Sequence, residues 1–180
     1  LSPKMIIKGI EDTLDEGISP GFNFIFGCIG DNRETLKKSV EFLLKYDDFS
    51  QKRTIRPVTP YPGSPLYHTA IQMGLLNKDK PAEDFYEHKH LNSDLICSNF
   101  TEMSDEEFYD CLEWANKKLM KNFYDQQKYN TLEQIEYLYR TKDVEFRGFR
   151  HRNGGGVKNT ATKQVNWEGS QVGDGDRFNH

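Results

Sequence analysis

The run Arg56-Pro57-Val58-Thr59-Pro60-Tyr61-Pro62-Gly63-Ser64-Pro65-Leu66-Tyr67 does most to limit what this chain can fold into. Its first residues are β-prone, and Pro60 to Gly63 is turn chemistry. Ser64 followed by Pro65 is a helix cap with proline at the first helical position, where a missing N–H costs nothing. Leu66, Tyr67, Ala70 and Ile71 give the next helix one apolar face, and Gly74 ends it. A strand, a stiff loop and a helix start are therefore written in one stretch.

The same grammar precedes it. Ser2-Pro3 opens a helix through Ile6, Ile7, Ile10 and Leu14, stopped near Gly17. After the turn Ser19-Pro20-Gly21, Phe22 to Phe26 is apolar on both faces except for Asn23, as expected of a parallel strand covered by helices. Asp31 to Glu34 is a capping-box-like start, and Leu36, Val40, Leu43 and Leu44 form the buried stripe of the helix that follows. Arg53 to Thr59 reads as the second strand. Helix, strand, helix, strand, helix predicts an α/β fold, a barrel or an open doubly wound sheet. Lys78 to Asn99 reads as a polar and aromatic connection. Ser104 with Glu107 is a capping box opening a long helix to about residue 123, with Phe108, Leu112, Ala115 and Leu119 inward. A separate short helix is expected from Thr131 to Arg140. The chain starts with Leu1 directly before a capped helix, which suggests that it begins mid-domain.

Hydrophobic residues make up 36% and aromatic residues 13% of 180, enough for a modest core. The low mean hydropathy, -0.80, has a local cause: residues 147–180 hold seven of the fourteen glycines and few aliphatic side chains. That tail is expected to be flexible and outside any core. Of the net charge of -4, residues 1–146 carry -7 and the tail +3. An acidic body disfavours generic nucleic-acid binding. Cys28, Cys97 and Cys111 are odd in number and lack CxxC spacing, which argues against a disulfide framework or zinc knuckle and for a reducing compartment. No apolar run approaches the roughly 18 residues needed to cross a bilayer, and no basic-then-apolar leader pattern is present. A soluble cytoplasmic protein without a membrane partner is expected.

Several residues carry more than one reading. Gly27-Cys28-Ile29-Gly30 lies between a strand and a helix start, either as tight-turn geometry or as a phosphate-sized approach to backbone N–H groups. Cys28 is either a small buried residue or a thiol acidified by the helix N-terminus. Arg56 is a charge in or beside a strand, facing a ligand carboxylate or an acidic partner within the chain. Tyr61 and Tyr67 either touch substrate or pack on the prolines. Glu87-His88-Lys89-His90 is read as a solvated loop rather than a metal site.

Asn23-x-Ile25-x-Gly27-x-x-Gly30-Asp31 resembles the GxIxGxxGE pattern on the fifth strand of radical S-adenosylmethionine (radical SAM) enzymes, with Asn23 for the first Gly and Asp31 for the Glu. Val58-Thr59-Pro60-Tyr61-Pro62-Gly63-Ser64-Pro65-Leu66-Tyr67, then Gly74-Leu75-Leu76, resembles the sixth strand and helix of the branch carrying a cobalamin-binding domain. Asn99 to Glu107 resembles that branch's next landmark, and the likeness covers roughly residues 1 to 125. It implies the C-terminal portion of a partial (β/α)6 TIM-like barrel over residues 1–76, a mostly helical extension over 77–146, and the tail 147–180. It also implies S-adenosylmethionine, a 4Fe-4S cluster and, in that branch, cobalamin in the complete protein, acting on a small-molecule substrate by methylation or cyclisation. Asn23, Ile25, Gly27, Arg56 and Val58 would then be the cofactor-binding residues, with Ile25 and Val58 on the adenine side. No CxxxCxxC is present, so the cluster-binding half is absent from this chain and no cofactor is expected to bind it tightly alone. The missing N-terminal half is the implied partner. The alternative expectation is a non-enzymatic half-barrel that binds a partner through its sheet edge or long helix.

Overall fold

The computed structural model describes residues 2–146; Leu1 and the tail 147–180 lie outside the described residues. Ser2 caps helix α1 (Pro3–Asp15), its side chain accepting from the Met5 N–H. Strand β1 (Phe24–Phe26) leads through a turn to α2 (Arg33–Tyr46), which Asn32 and Thr35 cap reciprocally. Strand β2 (Ile55–Pro57) follows, then α3 (Pro65–Met73) between the Ser64 cap and left-handed Gly74. Helices α4 (Pro81–His88) and α5 (Asp105–Thr141) complete the order.

β1 and β2 are parallel, with Phe24, Ile25 and Phe26 opposite Ile55, Arg56 and Pro57. One face of this pair is covered. Phe26 and Ile55 meet Leu36, Val40 and Leu43 of α2 and Phe108, Cys111, Leu112, Ala115 and Leu119 of α5. The spacing of both helical sets is that of a single buried stripe. A second cluster sits beyond the end of β2, where Val58, Tyr67, Ala70, Leu76 and Phe100 surround fully buried Phe85 of α4. Both clusters draw residues from either side of position 76.

The expected portion of a partial (β/α)6 barrel is not formed. More than half of the described residues are helical, and the described residues hold only two strands of three residues each. Closing a barrel needs strands on both flanks of each strand, and the outer flank of β2 is already taken by a side chain: the Ile55 N–H donates to Asn116 Oδ1 at 2.8 Å, and Asn116 Nδ2 donates to the Ile55 carbonyl at 3.0 Å. Pro57 has no N–H to offer. The stretch 22–26 is likewise not covered on both faces, because Ile25 is 53% exposed.

Two helical expectations also change. The connection 78–99 contains α4, which starts on a proline with Glu83 and Asp84 in its first turn and is anchored by Phe85. The two expected helices at 104–123 and 131–140 are one. Neither Gly nor Pro interrupts residues 105–141, and the polar side chains at the expected break bond within the helix, Gln126 Nε2 to Asn130 Oδ1 at 2.8 Å and Thr131 Oγ1 to the Gln127 carbonyl at 2.8 Å. Among the described residues no helix is long and apolar enough to cross a membrane.

Candidate functional site

The turn after β1 is filled by the chain's own groups. The Gly27 and Cys28 N–H groups donate to Asp31 Oδ2 at 3.0 and 2.9 Å, and Thr35 Oγ1 donates to Asp31 Oδ1 at 3.0 Å. Asn32 Oδ1 accepts from Glu34 and Thr35. The donors that would greet a phosphate at the α2 N-terminus are thus already engaged by Asp31 and Asn32. Gly27 has φ +101°, and a Cβ there would lie 2.8 Å from Phe108 Cε2, so glycine is required by both the backbone and the neighbour.

The five residues expected at a cofactor site divide into two groups. Ile25 and Arg56 are directly opposite each other in the ladder, and Asn23 stands two residues before Ile25; all three are exposed. Alternation along a strand puts them on the face away from α2 and α5. Gly27 and Val58 lie together at the far end of the strands and are buried, Val58 within the cluster around Phe85. The result is an open shelf, apolar at Ile25 and cationic at Arg56, ending at a closed wall.

Arg56 Nε lies 3.4 Å from Asp94 Oδ1, and both side chains are about half exposed. Asp94 belongs to the loop after α4. Its N–H donates to His90 Nδ1 at 3.2 Å, while Tyr61 and Ser93 share a hydroxyl hydrogen bond at 3.1 Å. This loop therefore stands beside the shelf. Nothing in the sequence pattern pairs Asp94 with Arg56. The buried arginine is a different one: Arg53 Nε donates to Asp47 at 3.1 Å, and its Nη2 donates to Asp48 at 3.3 Å and the Pro20 carbonyl at 3.0 Å. Asn116 is the other residue sequence reasoning missed, although a polar residue among the inward positions of a helix is itself a signal of a specific partner.

Cys28 is exposed rather than buried, and it is not acidified: partial burial of its thiol and then the Asp31 carboxylate push it up from the usual value. Burial also raises the Cys97 and Cys111 thiols. The three stand on different parts of the fold, and among the described residues no group of three Cys, His, Asp or Glu is placed to hold a metal. Among the described residues no set of side chains fits an iron-sulfur cluster. His88 is tied to Asp84, its Nδ1 lying 2.9 Å from the Asp84 carbonyl and 3.0 Å from Oδ1, which raises its pKa. Tyr67 is buried edge-on to Phe85, whereas Tyr61 is half exposed.

No protein-family model, no curated protein and no solved structure matches this chain.

Proposed function

We propose that this chain supplies one wall of an S-adenosylmethionine site in a radical SAM enzyme of the cytoplasm, the iron-sulfur cluster being held by a separate half. Support comes from the three landmark sequences together with one observation: Ile25 and Arg56 stand side by side on the exposed face of a parallel sheet. Parallel sheets are ordinarily covered on both faces. A half-exposed isoleucine beside a guanidinium suits a ligand with a flat apolar ring and a negative group, as the adenine and carboxylate of S-adenosylmethionine provide. The Ile25 side chain offers dispersion contact to the ring. Arg56 exchanges Asp94 for the ligand's carboxylate at little cost, because a half-exposed ion pair contributes only about 0–1 kcal/mol. The cofactor supplies the radical chemistry; the residues of this chain orient it.

Titration of the chain alone with S-adenosylmethionine is expected to show no binding tighter than about 1 mM. An extended form carrying a CxxxCxxC segment is expected to release 5'-deoxyadenosine under reducing conditions. In that form Ile25→Glu should lower cofactor affinity at least about tenfold, and Arg56→Gln should raise KM for the cofactor more than it lowers kcat. Absence of cleavage in the extended form, or cleavage indifferent to both substitutions, overturns the proposal.

A further inference from the structure

The two flanks of the sheet are unlike. In a parallel ladder successive residues aim their N–H and C=O groups at alternate flanks. The Val58 N–H donates to the Phe26 carbonyl at 2.8 Å, so Phe26, and with it Phe24, faces β2. Ile25 between them faces away. None of the described residues makes a backbone hydrogen bond to Asn23 or Ile25 on that side. On the opposite flank Asn116 engages both backbone groups of Ile55, and Pro57 carries no donor. Among the described residues, one edge is sealed and the other is open.

The open edge of β1 runs beside a groove of about 540 Å³ between α1 and α2. Ile6 and Ile10 of α1 form one wall, Phe22 and Phe24 the floor, and Phe42 of α2 the other wall, with Lys38 the single charged side chain among its lining. Ile6 is 44% exposed there. Apolar walls flanking unpaired backbone groups match an extended chain, which satisfies the edge with its own N–H and C=O and sends alternate side chains toward the helices.

We propose that the β1 edge takes a third strand, an extended segment of a partner polypeptide with apolar residues at alternate positions and an acidic residue placed for Lys38. A second copy of this chain does not fit as well, because in each copy Pro3, Ile6 and Ile10 of α1 line the groove, and pairing two such edges would bring the two helices together. A single extended chain passes between α1 and α2. The docking uses the backbone of Ile25, whereas the cofactor reading uses its side chain, so the two stand or fall separately.

Selection of displayed random decapeptides against the full chain is expected to enrich sequences with alternating apolar residues and an acid. Ile25→Pro removes the outward N–H and leaves the groups of Phe24 and Phe26 in place, and it should weaken the selected peptides at least about tenfold. Ile25→Ala should change their affinity less than about threefold. N-methylation of the peptide tests the same point on the unaltered protein, should Ile25→Pro fail to fold: methyl groups at alternate peptide nitrogens should abolish binding and those between should not. Failure to select any peptide binding below about 1 mM overturns the proposal. So do equal effects of N-methylation at every position, or light scattering that shows two copies joined through β1.

Discussion

Gly27 is constrained on two counts. Its φ of +101° and the Phe108 ring 2.8 Å from where a Cβ would stand act together. Gly27→Ala is expected to cost about 2–4 kcal/mol in urea unfolding, from backbone strain and overpacking. Arg53 is constrained electrostatically instead. Its side chain and that of Asp47 are each only 7% exposed, so Arg53→Ala strands a buried carboxylate and should cost about 3–5 kcal/mol by the same measurement. Burial holds the Asp47 carboxyl above the ordinary carboxylate value, and the Arg53 guanidinium pulls the other way without cancelling it. A carboxyl raised in the folded chain keeps its proton more tightly there than in the unfolded chain. Its share of stability is therefore greatest below the ordinary carboxylate pKa and falls as pH rises through the folded one. Urea midpoints from about pH 3 to about pH 7 should show wild type losing stability relative to Asp47→Asn as pH rises.

Helix α5 behaves as two elements joined without a break. Its first four turns carry Phe108, Leu112, Ala115 and Leu119 into the core, and none of its side chains beyond Leu119 is buried. Gln127, whose Nε2 donates to the Phe49 carbonyl at 2.7 Å, marks the last tie to the body. Residues 128–141 extend roughly 20 Å further at the rise of an α-helix, with Leu132 and Tyr139 exposed. Leu112→Ala should cost about 2–5 kcal/mol, whereas Leu132→Ala should change stability by less than about 0.5 kcal/mol, both read from thermal or urea unfolding. Hydrophobic period alone predicted helices on both sides of residue 128 correctly but placed a gap between them. Lys128-Tyr129-Asn130-Thr131 contains weak helix formers and no breaker, and a helix already nucleated on the core continues through them.

At the scale of the whole molecule, the two edges of the sheet are unlike, and the difference can be tested by association. Asn116→Ala frees the N–H and C=O of Ile55, and size-exclusion chromatography with light scattering should detect more association of this variant than of wild type. The capped starts at Ser2, Ser64 and Ser104, the stripe of α2, the inward face of α5 and the parallel β-prone segments were all legible in the sequence, because caps and hydrophobic periods are local physics. The side that Ile25 and Arg56 share was not: both were open until the ladder set them opposite each other and exposed. The expected barrel was not: a βα sequence pattern specifies a unit and says nothing of how many units pair. Whether a strand edge stays open depends on groups distant in sequence. Asn116, sixty-one positions from Ile55, seals one flank, and Asp94 reaches Arg56 from the loop after α4. The sequence by itself determined α1, α2, α3, the start of α5 and the two strand segments; the tertiary structure alone decided that α4 forms, which face is bare, which edge is closed and which arginine is buried, because each of those depends on side chains meeting across long separations in the chain.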